Sequence, residues 1–318
     1  MSSSDPKVVA FGGGHGLAAT LTALRDVTPN ITAVVTVADN GGSSGKIRSE
    51  FNFLPPGDLR MALAALCGAD AWGQSWAETI QHRFTSEGEL NGHALGNLLL
   101  AALWDSSDDL VAGIDRVGQL LKIVGRVLPM SLEPLDIEGI FTTTVGEQAV
   151  RGQIEVATAK GKLESLRLLP ENPAARSEAL AAISNADLIT MGPGSWISSV
   201  LPHLMVPAQR DAIVNSKAKK VLLLNLDANV LTSGDEYAGY SAEDHLHLFH
   251  KYAPELKVDY VIADSDVVTD RSALENIVQS LGGSLISADL SMGPGSSAHD
   301  VRKLTPVLAH IIEQRLVG

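Results

Sequence analysis

The sequence predicts an α/β fold built on a doubly wound, mostly parallel sheet. Three observations favour it. The first unit has the order strand, glycine loop, helix, strand; later apolar runs alternate with segments of helical periodicity; and three glycine-rich loops directly follow predicted strands. Because ligands of such sheets bind beyond the carboxyl ends of the strands, these loops are the first candidates for a binding site.

Length and composition narrow the class of protein. The chain has 318 residues, 45% hydrophobic and 19% charged, and we expect one large domain over residues 1–318. A net charge of −13 argues against binding nucleic acid or an anionic membrane. The single cysteine, Cys67, excludes an intramolecular disulfide. The start has no signal region and the chain has no apolar run of about 20 residues, so we expect a cytoplasmic protein that is not inserted into a membrane.

The first βαβ unit is predicted over residues 7–37. An apolar run at 7–11 predicts the first strand, and the glycines of 12–16 end it. Residues 31–37 (ITAVVTV) are apolar and largely β-branched, which is typical of a buried parallel strand. The helix between the two strands is predicted by apolar residues at helical spacing, Leu17, Leu21 and Leu24.

The middle of the chain is predicted to be helical and then to change character. Asp58 is expected to cap a helix, and further helices are expected over 91–104 and 109–124. Residues 130–168 instead show short alternating stretches separated by glycines, which predict small antiparallel strands. We therefore expect a small β-rich insertion at about 130–168.

The α/β alternation returns after this insertion. Strands are predicted at 187–191, 220–226, 260–263 and 284–286. Helices are predicted at 177–185, 242–252, 272–281 and 306–316. This alternation is typical of a doubly wound sheet.

The first glycine loop follows a strand and precedes a helix. Glycines at this place let backbone N–H groups approach an anion at a helix N-terminus, where the helix dipole also favours negative charge. The spacing fits a loose dinucleotide fingerprint, but no acid lies at the usual distance, so we do not expect a nicotinamide cofactor. The alternatives are a tight turn without a ligand and, for the histidine, an exposed turn position. The candidate binding residues are Gly12, Gly13, Gly14, His15 and Gly16.

The second loop, at 39–46, combines a carboxylate, an amide and two hydroxyls in Asp39, Asn40, Ser43 and Ser44. Asp39 is a candidate for holding a metal ion on a diphosphate or for bonding a ribose hydroxyl. The alternative is an Asx-turn in a connecting loop.

Three polar residues outside the loops are further candidates: Asp58, His93 and Asn97. His93 and Asn97 are four residues apart, so we expect them on one face of a helix. Asn97 lies in an apolar helix and needs a hydrogen-bond partner. A helix cap and a satisfied core amide are the alternatives for Asp58 and Asn97.

The third loop again joins a predicted strand to a helix, which makes it a second candidate anion site. It consists of Gly192, Pro193, Gly194 and Ser195. Asn225 ends a buried strand and is a candidate for contacting a base or a sugar. No hydrolase elbow and no Walker lysine accompany these glycines. We predict no metal site, except that Asp39 is a candidate ligand if magnesium is used with a nucleoside diphosphate.

Taken in this order, the motifs resemble those of the YvcK/CofD-like family. The resemblance covers about residues 7–265 and is closer to the YvcK branch, the gluconeogenesis factors, than to the CofD transferases, because of the GGSSG and LPPGD segments. The strings that carry it are GGGHG at 12–16, TVADNGGSSGKIR at 36–48, LPPGDLR at 54–60, GHALGNLLLAAL at 92–103, GPGSWISSVLPHLMVP at 192–207 and GYSAEDH at 239–245.

The resemblance implies a Rossmann-like core with a small inserted α+β subdomain. YvcK-type members bind UDP-sugars, notably UDP-N-acetylglucosamine, and are associated with gluconeogenic growth, peptidoglycan synthesis and cell shape. CofD-type members transfer a phospholactyl group from a nucleoside diphosphate donor with magnesium. We therefore expect a nucleotide-sugar-binding regulator with a protein partner in cell-wall synthesis or its regulation. The alternative is a magnesium-dependent transferase of the 2-phospho-L-lactate type, in which Asp39 is the catalytic residue or holds the metal.

The sequence departs from the family's usual pattern at three positions. His15 replaces a threonine, Asn40 replaces the second acid of an Asp-Asp pair, and Ile197 replaces a tyrosine. If the second acid supports metal binding or chemistry, Asn40 argues against the transferase. A homodimer is expected only because C2 dimers are the commonest oligomers.

Overall fold

A seven-stranded parallel sheet forms the centre of the fold. The computed structural model describes residues 5–107, 109–226, 241–268, 270–293 and 295–317. The strands of the sheet are β1 (Val8–Gly12), β2 (Ile31–Val35), β3 (Arg126–Pro129), β7 (Leu188–Met191), β8 (Lys219–Leu223), β9 (Tyr260–Asp264) and β10 (Ser284–Ala288). They lie in the order β10-β9-β8-β7-β1-β2-β3, and every neighbouring pair is parallel.

Helices connect these strands and cover the sheet. They are α1 (Gly14–Arg25), α2 (Gly42–Phe51), α3 (Pro56–Ala65), α4 (Ala71–Gln81), α5 (Leu95–Asp105), α6 (Leu110–Leu121), α7 (Gln153–Ala157), α8 (Ser177–Ser184), α9 (Leu201–Met205), α10 (Pro207–Asn215), α11 (Ala242–Tyr252), α12 (Arg271–Ser280) and α13 (Val301–Val317). The helix α1 packs against α3 and α13, whereas α8 packs against α10. All five residues of β1 are buried between these layers.

The order of the strands reverses at β1. The chain builds outward from β1 through β2 to β3, then returns to the other side of β1 as β7 and continues to β10. Phe11 of β1 therefore pairs with Val34 on one side and with Met191 on the other. Connections that leave β1 and β7 in opposite directions open a crevice between them, which is where doubly wound sheets bind ligands.

Three antiparallel strands form a second, smaller sheet. They are β4 (Asp136–Thr143), β5 (Gly146–Arg151) and β6 (Lys162–Leu169), in the order β5-β4-β6, and the short helix α7 follows β5. Burial alternates along β4, so one face of this sheet packs against the core. The predicted fold class, a doubly wound α/β sheet with a small inserted α+β subdomain, is confirmed.

Three helices begin elsewhere than predicted. The helix α2 begins at Gly42, within the segment predicted as the second loop. Proline is favoured at the first position of a helix, and α3 accordingly begins at Pro56. Asp58 therefore lies in the first turn of α3 and is not its cap. The helix α5 begins at Leu95, so His93 precedes it and does not share a helix face with Asn97.

Other features of the fold were not predicted. The strand β3 and the helix α10 were missed, residues 196–200 form a π-helical turn, and α13 begins at Val301 rather than at Pro306. The first two residues of the family string at 239–245 lie outside the described residues.

Among the helices that the structure describes, none is both long and apolar enough to cross a lipid bilayer.

Candidate functional site

The first and third glycine loops meet at the crevice beside β1. A β-carbon on Gly16 would collide with the carbonyl oxygen of Pro193, so the first turn of α1 and the loop after β7 are in direct contact. The Thr20 hydroxyl of α1 donates a hydrogen bond to the Gly192 carbonyl at 3.1 Å. The sequence predicts that these loops lie at the same edge of the sheet. In the structure their backbones are in contact.

The first turn of α1 has the features of an anion site. Gly14 has φ +58°, a left-handed conformation that favours glycine. The N-cap residue, Gly13, has no side chain to cap this helix, and the first turn contains no acid of its own. A β-carbon on Gly14 would find only an Asp58 carboxyl oxygen, at 4.0 Å, among the described atoms within that distance. Gly14 thus borders open space at the N-terminus of α1, and His15 is exposed beside it.

Asp58 lies against this turn. Its carboxylate accepts a hydrogen bond from the backbone N–H of Gly14, which lowers its pKa, and the charge of Arg60 acts in the same direction. Burial and the negative charge of Asp39 are stronger, and they raise the pKa of Asp58 from 3.8 to about 7. The crevice therefore contains a carboxyl group that changes charge near neutral pH.

A hydrogen-bonded network connects α2, α3 and the start of α5. The Ser43 hydroxyl lies 3.0 Å from Nδ1 of His93 and accepts a hydrogen bond from Nδ2 of Asn97, also at 3.0 Å. The neighbouring hydroxyl of Ser44 accepts a hydrogen bond from the Gly57 N–H at 3.0 Å. His93 and Asn97 are brought together by their common partner Ser43 and not by a shared helix face.

Asp39 and Asn40 lead into α2. The Asp39 carboxylate accepts a hydrogen bond from the Gly41 N–H at 2.7 Å. This contact is an Asx-turn, the alternative prediction for this residue. The Asn40 amide donates to the Glu155 carboxylate of α7 at 3.1 Å. The Oδ1 atom of the Asn40 side chain is buried and has no hydrogen-bond partner among the described residues. Asn40 therefore links the second loop to the small subdomain.

Asn225 holds the third loop. Its amide nitrogen donates to the Gly194 carbonyl at 3.0 Å, and its carbonyl oxygen accepts from the Gly194 N–H at 2.9 Å. Both ends of the amide thus bond one residue of the loop. Gly194 has φ +135° and requires glycine, so the loop conformation depends on the glycine and on its amide partner together.

The hydroxyls after the third loop also contact the small subdomain. The Ser195 hydroxyl accepts from the Ser198 N–H at 3.0 Å, and the two hydroxyl oxygens lie 2.6 Å apart. Gln153 of α7 donates to the Ser198 hydroxyl at 3.2 Å. The helix α7 thus contacts the second loop through Glu155 and the π-helical turn through Gln153.

Sequence reasoning missed several residues of this region. His203 is fully buried behind the first loop, with Nε2 at 3.4 Å from the Gly12 carbonyl and Nδ1 at 3.0 Å from the Gln209 amide nitrogen. Burial lowers the pKa of His203 to about 4, so it is neutral at physiological pH. Gln153 and Glu155 belong to the inserted segment and carry no motif signal that connects them with the loops.

Asp39 and Asp58 are the crevice carboxylates that would hold a magnesium ion if one binds together with a phosphate ligand. Within the described residues, no group of three or more histidine, cysteine or acidic side chains could hold a metal. Asp39 and Asp58 are close enough for one charge to affect the other. Magnesium characteristically takes one or two carboxylates and completes its shell with water and substrate phosphates. Such an ion would depend on the ligand that carries the phosphates.

Comparison with known proteins agrees with the motifs. Residues 8–290 match the family described as 2-phospho-L-lactate transferase CofD. A protein of Mycobacterium tuberculosis, named provisionally as a gluconeogenesis factor, is 45% identical over 308 residues, which cover 95% of this chain and 89% of the relative. The gluconeogenesis factor of Bacillus subtilis is 34% identical over 265 residues, covering 83% of this chain and 80% of the relative.

A solved structure extends the similarity to the fold. The crystal structure of a UPF0052 family member from Bacillus halodurans matches with a TM-score of 0.83 at 34% sequence identity, covering 99% of this chain and 100% of that one. The chain therefore belongs to the CofD (UPF0052) family and is a YvcK-type member, similar over most of its length to proteins named as gluconeogenesis factors.

Proposed function

We propose that the chain binds a nucleoside diphosphate sugar of the UDP-N-acetylglucosamine type and acts as a regulator. The observation that carries the proposal is the first turn of α1, which follows a glycine N-cap, borders open space at Gly14 and touches the Pro193 loop. Backbone N–H groups at a helix N-terminus favour a diphosphate. An overall charge of −13 makes such a local site necessary for an anionic ligand.

The polar residues of the crevice have distinct tasks in this proposal. The diphosphate lies across the backbone donors of 12–16 and 192–195. Asp39 and the Ser43 network line the centre of the crevice and contact the sugar or ribose. Asn225 contributes by fixing the Gly194 peptide, since both ends of its amide are used there.

The biological role follows from the ligand and from the relatives. UDP-N-acetylglucosamine is a precursor of peptidoglycan, and relatives of this chain are named as gluconeogenesis factors. We propose that a cytoplasmic protein of this kind reports precursor supply to a partner in cell-wall synthesis. In this way it would link central carbon metabolism to peptidoglycan synthesis and cell shape.

The direct test is calorimetric titration with UDP-N-acetylglucosamine, with and without magnesium. UDP-glucose, GDP and NAD serve as comparison ligands, and each sample is assayed afterwards for reaction products. Saturable binding of the UDP-sugar without turnover supports the regulator. Absence of saturable binding at millimolar concentration, or preference for GDP, contradicts it.

Two glycine variants test the location of the diphosphate. Gly14→Glu places bulk and negative charge at the first turn of α1 and should abolish binding. Gly146→Glu is the matched control, since Gly146 also has positive φ and open space but lies in the hairpin of the small sheet. It should bind normally. Normal binding by folded Gly14→Glu would contradict the location.

A second candidate function is the magnesium-dependent transferase. The observation that favours it is Asp58, whose pKa of about 7 lets it accept a proton from an attacking hydroxyl near neutral pH. Magnesium, when bound with the phosphates, would supply charge stabilisation to the leaving diphosphate. Turnover of a nucleoside diphosphate donor that is lost in Asp39→Asn would establish this function and displace the regulator.

A further inference from the structure

The strand β10 forms one edge of the seven-stranded sheet. It is paired with β9 on one side, and no strand of the described chain lies on its other side. The N–H of Ser284 donates to the Asp259 carbonyl, which leads into β9, and the backbone groups of a strand point alternately to its two sides. The N–H and C=O groups of Leu285 and Ser287 therefore point outward, and they have no hydrogen-bond partner among the described residues.

Other edge strands of the fold are protected against pairing with a further strand. The strand β3, at the opposite edge of the same sheet, begins with Arg126 and ends with Pro129, which has no N–H to donate. In the small sheet, the edge strand β6 is closed by a side chain. The Tyr252 hydroxyl accepts from the Leu166 N–H and donates to the Leu166 carbonyl.

The strand β10 has no comparable protection. The remaining edge strand, β5, contains Glu147 and Arg151, and charged side chains on an edge discourage pairing. The sequence of β10 is SLISA, with neither a charge nor a proline. It is the only one of the four edge strands in the described part of the chain that lacks both. Its outward backbone groups are thus available to another strand.

We infer that β10 pairs antiparallel with β10 of a second copy of this chain, about a two-fold axis at Ile286. In this register Leu285 lies opposite Ser287 of the partner subunit, and the two residues exchange N–H···O=C hydrogen bonds in both directions. Ile286 then faces its own counterpart as a non-hydrogen-bonded pair. Leu285 and Ile286 are half-buried apolar side chains, which the partner would cover further.

The charges at the two ends of β10 favour a second copy as the partner. Lys257 is exposed and lies along the segment that enters β10, since a β-carbon on Gly282 would lie 3.5 Å from its Cδ atom. Asp289 directly follows β10, and its side chain is 69% exposed although it pairs with Lys303. Antiparallel pairing brings the start of one strand to the end of the other. Lys257 of each copy therefore approaches Asp289 of the partner subunit, and opposite charges there attract.

The inferred interface is distinct from the crevice. Three strands, β9, β8 and β7, separate β10 from β1, where the glycine loops meet. Each copy keeps its own crevice, so the pairing is independent of whether a nucleotide sugar binds there.

The first test is sedimentation equilibrium of the whole chain over a range of concentrations. Wild type should approach twice the mass of one chain as the concentration rises. Ser287→Pro removes an outward N–H and keeps the bonds to β9, so it should weaken association by about tenfold or more. Ser287→Ala keeps this N–H and is the matched control, which should associate like wild type. A chain that stays monomeric, or a dimer that folded Ser287→Pro does not weaken, overturns the inference.

The second test reverses charges and leaves the strand unchanged. Lys257→Glu should weaken the dimer, because it places a carboxylate opposite Asp289 of the partner subunit. Adding Asp289→Lys should restore association. Lys160→Glu, at an exposed position in the small subdomain, is the control and should have no effect. A double variant that associates no better than Lys257→Glu alone overturns the inferred register.

The third test places thiols across the two-fold axis. Non-hydrogen-bonded pairs have α-carbons about 4.5 Å apart, which is within the range of a disulfide. Oxidation of Ile286→Cys with diamide, which accepts the two electrons and two protons, should therefore link the two chains. Leu285→Cys, which faces Ser287 of the partner subunit, should link much less, and the native Cys67 is buried. A dimer in which Ile286→Cys does not link has its interface elsewhere and overturns the inference.

Discussion

The carboxylate of Asp58 accepts a hydrogen bond from the backbone N–H of Gly14, the first residue of α1. The Gly14 N–H is one of the donors that a bound diphosphate would need, and in this contact it is already bonded to Asp58. It also places a carboxyl group with a pKa of about 7 at the edge of the proposed binding position. Occupancy of the first turn and the protonation of Asp58 are therefore coupled.

Asp58 should make the folded protein less stable as the pH rises from about 4 to about 7. The folded state raises the pKa from 3.8 to about 7, so over this range the folded protein holds a proton that the unfolded chain has released. The stabilisation that Asp58 contributes is complete below pH 3.8. It is lost as the pH rises through about 7, the pKa of Asp58 in the folded state. Relative to Asp58→Asn, wild type should lose roughly 2 kcal/mol between pH 5 and pH 7.5, measured by urea unfolding.

The comparison with Asp58→Asn is needed because other groups change the stability of the protein with pH in the opposite direction. Burial lowers the pKa of His203 and His245 from 6.5 to about 4, so their contributions are present above pH 6.5 and fall as the pH drops towards 4. Asp105→Asn, at an exposed position, should leave the pH dependence of wild type unchanged. Parallel curves for wild type and Asp58→Asn would contradict the raised pKa.

Binding of UDP-N-acetylglucosamine without magnesium should take up protons near pH 7. A diphosphate beside Asp58 adds negative charge and raises the pKa of this carboxyl group further, so up to roughly half a proton is bound with the ligand. The measurement is calorimetric titration at pH 7 in two buffers of different ionisation enthalpy. The apparent binding enthalpy should depend on the buffer in wild type and not in Asp58→Asn. Equal enthalpies in wild type would show that the ligand does not approach Asp58.

Asn40→Asp should destabilise the protein, because it places a second carboxylate about where the Asn40 amide now donates to Glu155 at 3.1 Å. The expected loss is about 1–3 kcal/mol at pH 7.5 by urea unfolding. Adding Glu155→Gln should restore most of it, since the glutamine can donate to the new carboxylate. A double variant no more stable than Asn40→Asp alone would show that the two side chains are not partners.

Asn225→Ala should weaken the third loop by removing two hydrogen bonds to Gly194. We expect a loss of about 1–3 kcal/mol in the free energy of unfolding and roughly tenfold weaker binding of UDP-N-acetylglucosamine. Asn225→Asp keeps the acceptor for the Gly194 N–H but loses the donor, so it should retain part of the stability. Asn215→Ala, at an exposed amide on α10, is the control and should change stability by less than about 0.5 kcal/mol.

The elements predicted correctly are those with local signals. The apolar run of β1, the leucine spacing of α1 and the β-branched run of β2 each predict the structure that is observed. The helix α11 has the predicted bounds, Ala242–Tyr252. The strand β3 has only four residues, which is too short for a periodic pattern. The helix α10 begins at Pro207, and proline is favoured at the first position of a helix.

The contacts within the crevice could be predicted only in outline. Glycine loops after parallel strands indicated which edge of the sheet binds a ligand, because ligands of such sheets lie beyond the carboxyl ends of the strands. The pairing of Asn40 with Glu155, 115 residues apart, depends on how the inserted segment folds back, which no local pattern encodes. The burial of Arg60 likewise depends on the close approach of α5 at Gly96.

The short helix α7 connects two parts of the fold that flank the crevice. Glu155 is bonded to the loop that leaves β2, and Gln153 to the turn that follows β7, so the two attachments lie on opposite sides of β1. Any change in the width of the crevice must lengthen at least one of these hydrogen bonds or move α7 with the sheet. The inserted subdomain is therefore tied to both sides of the crevice through α7, and its position depends on the width of the crevice.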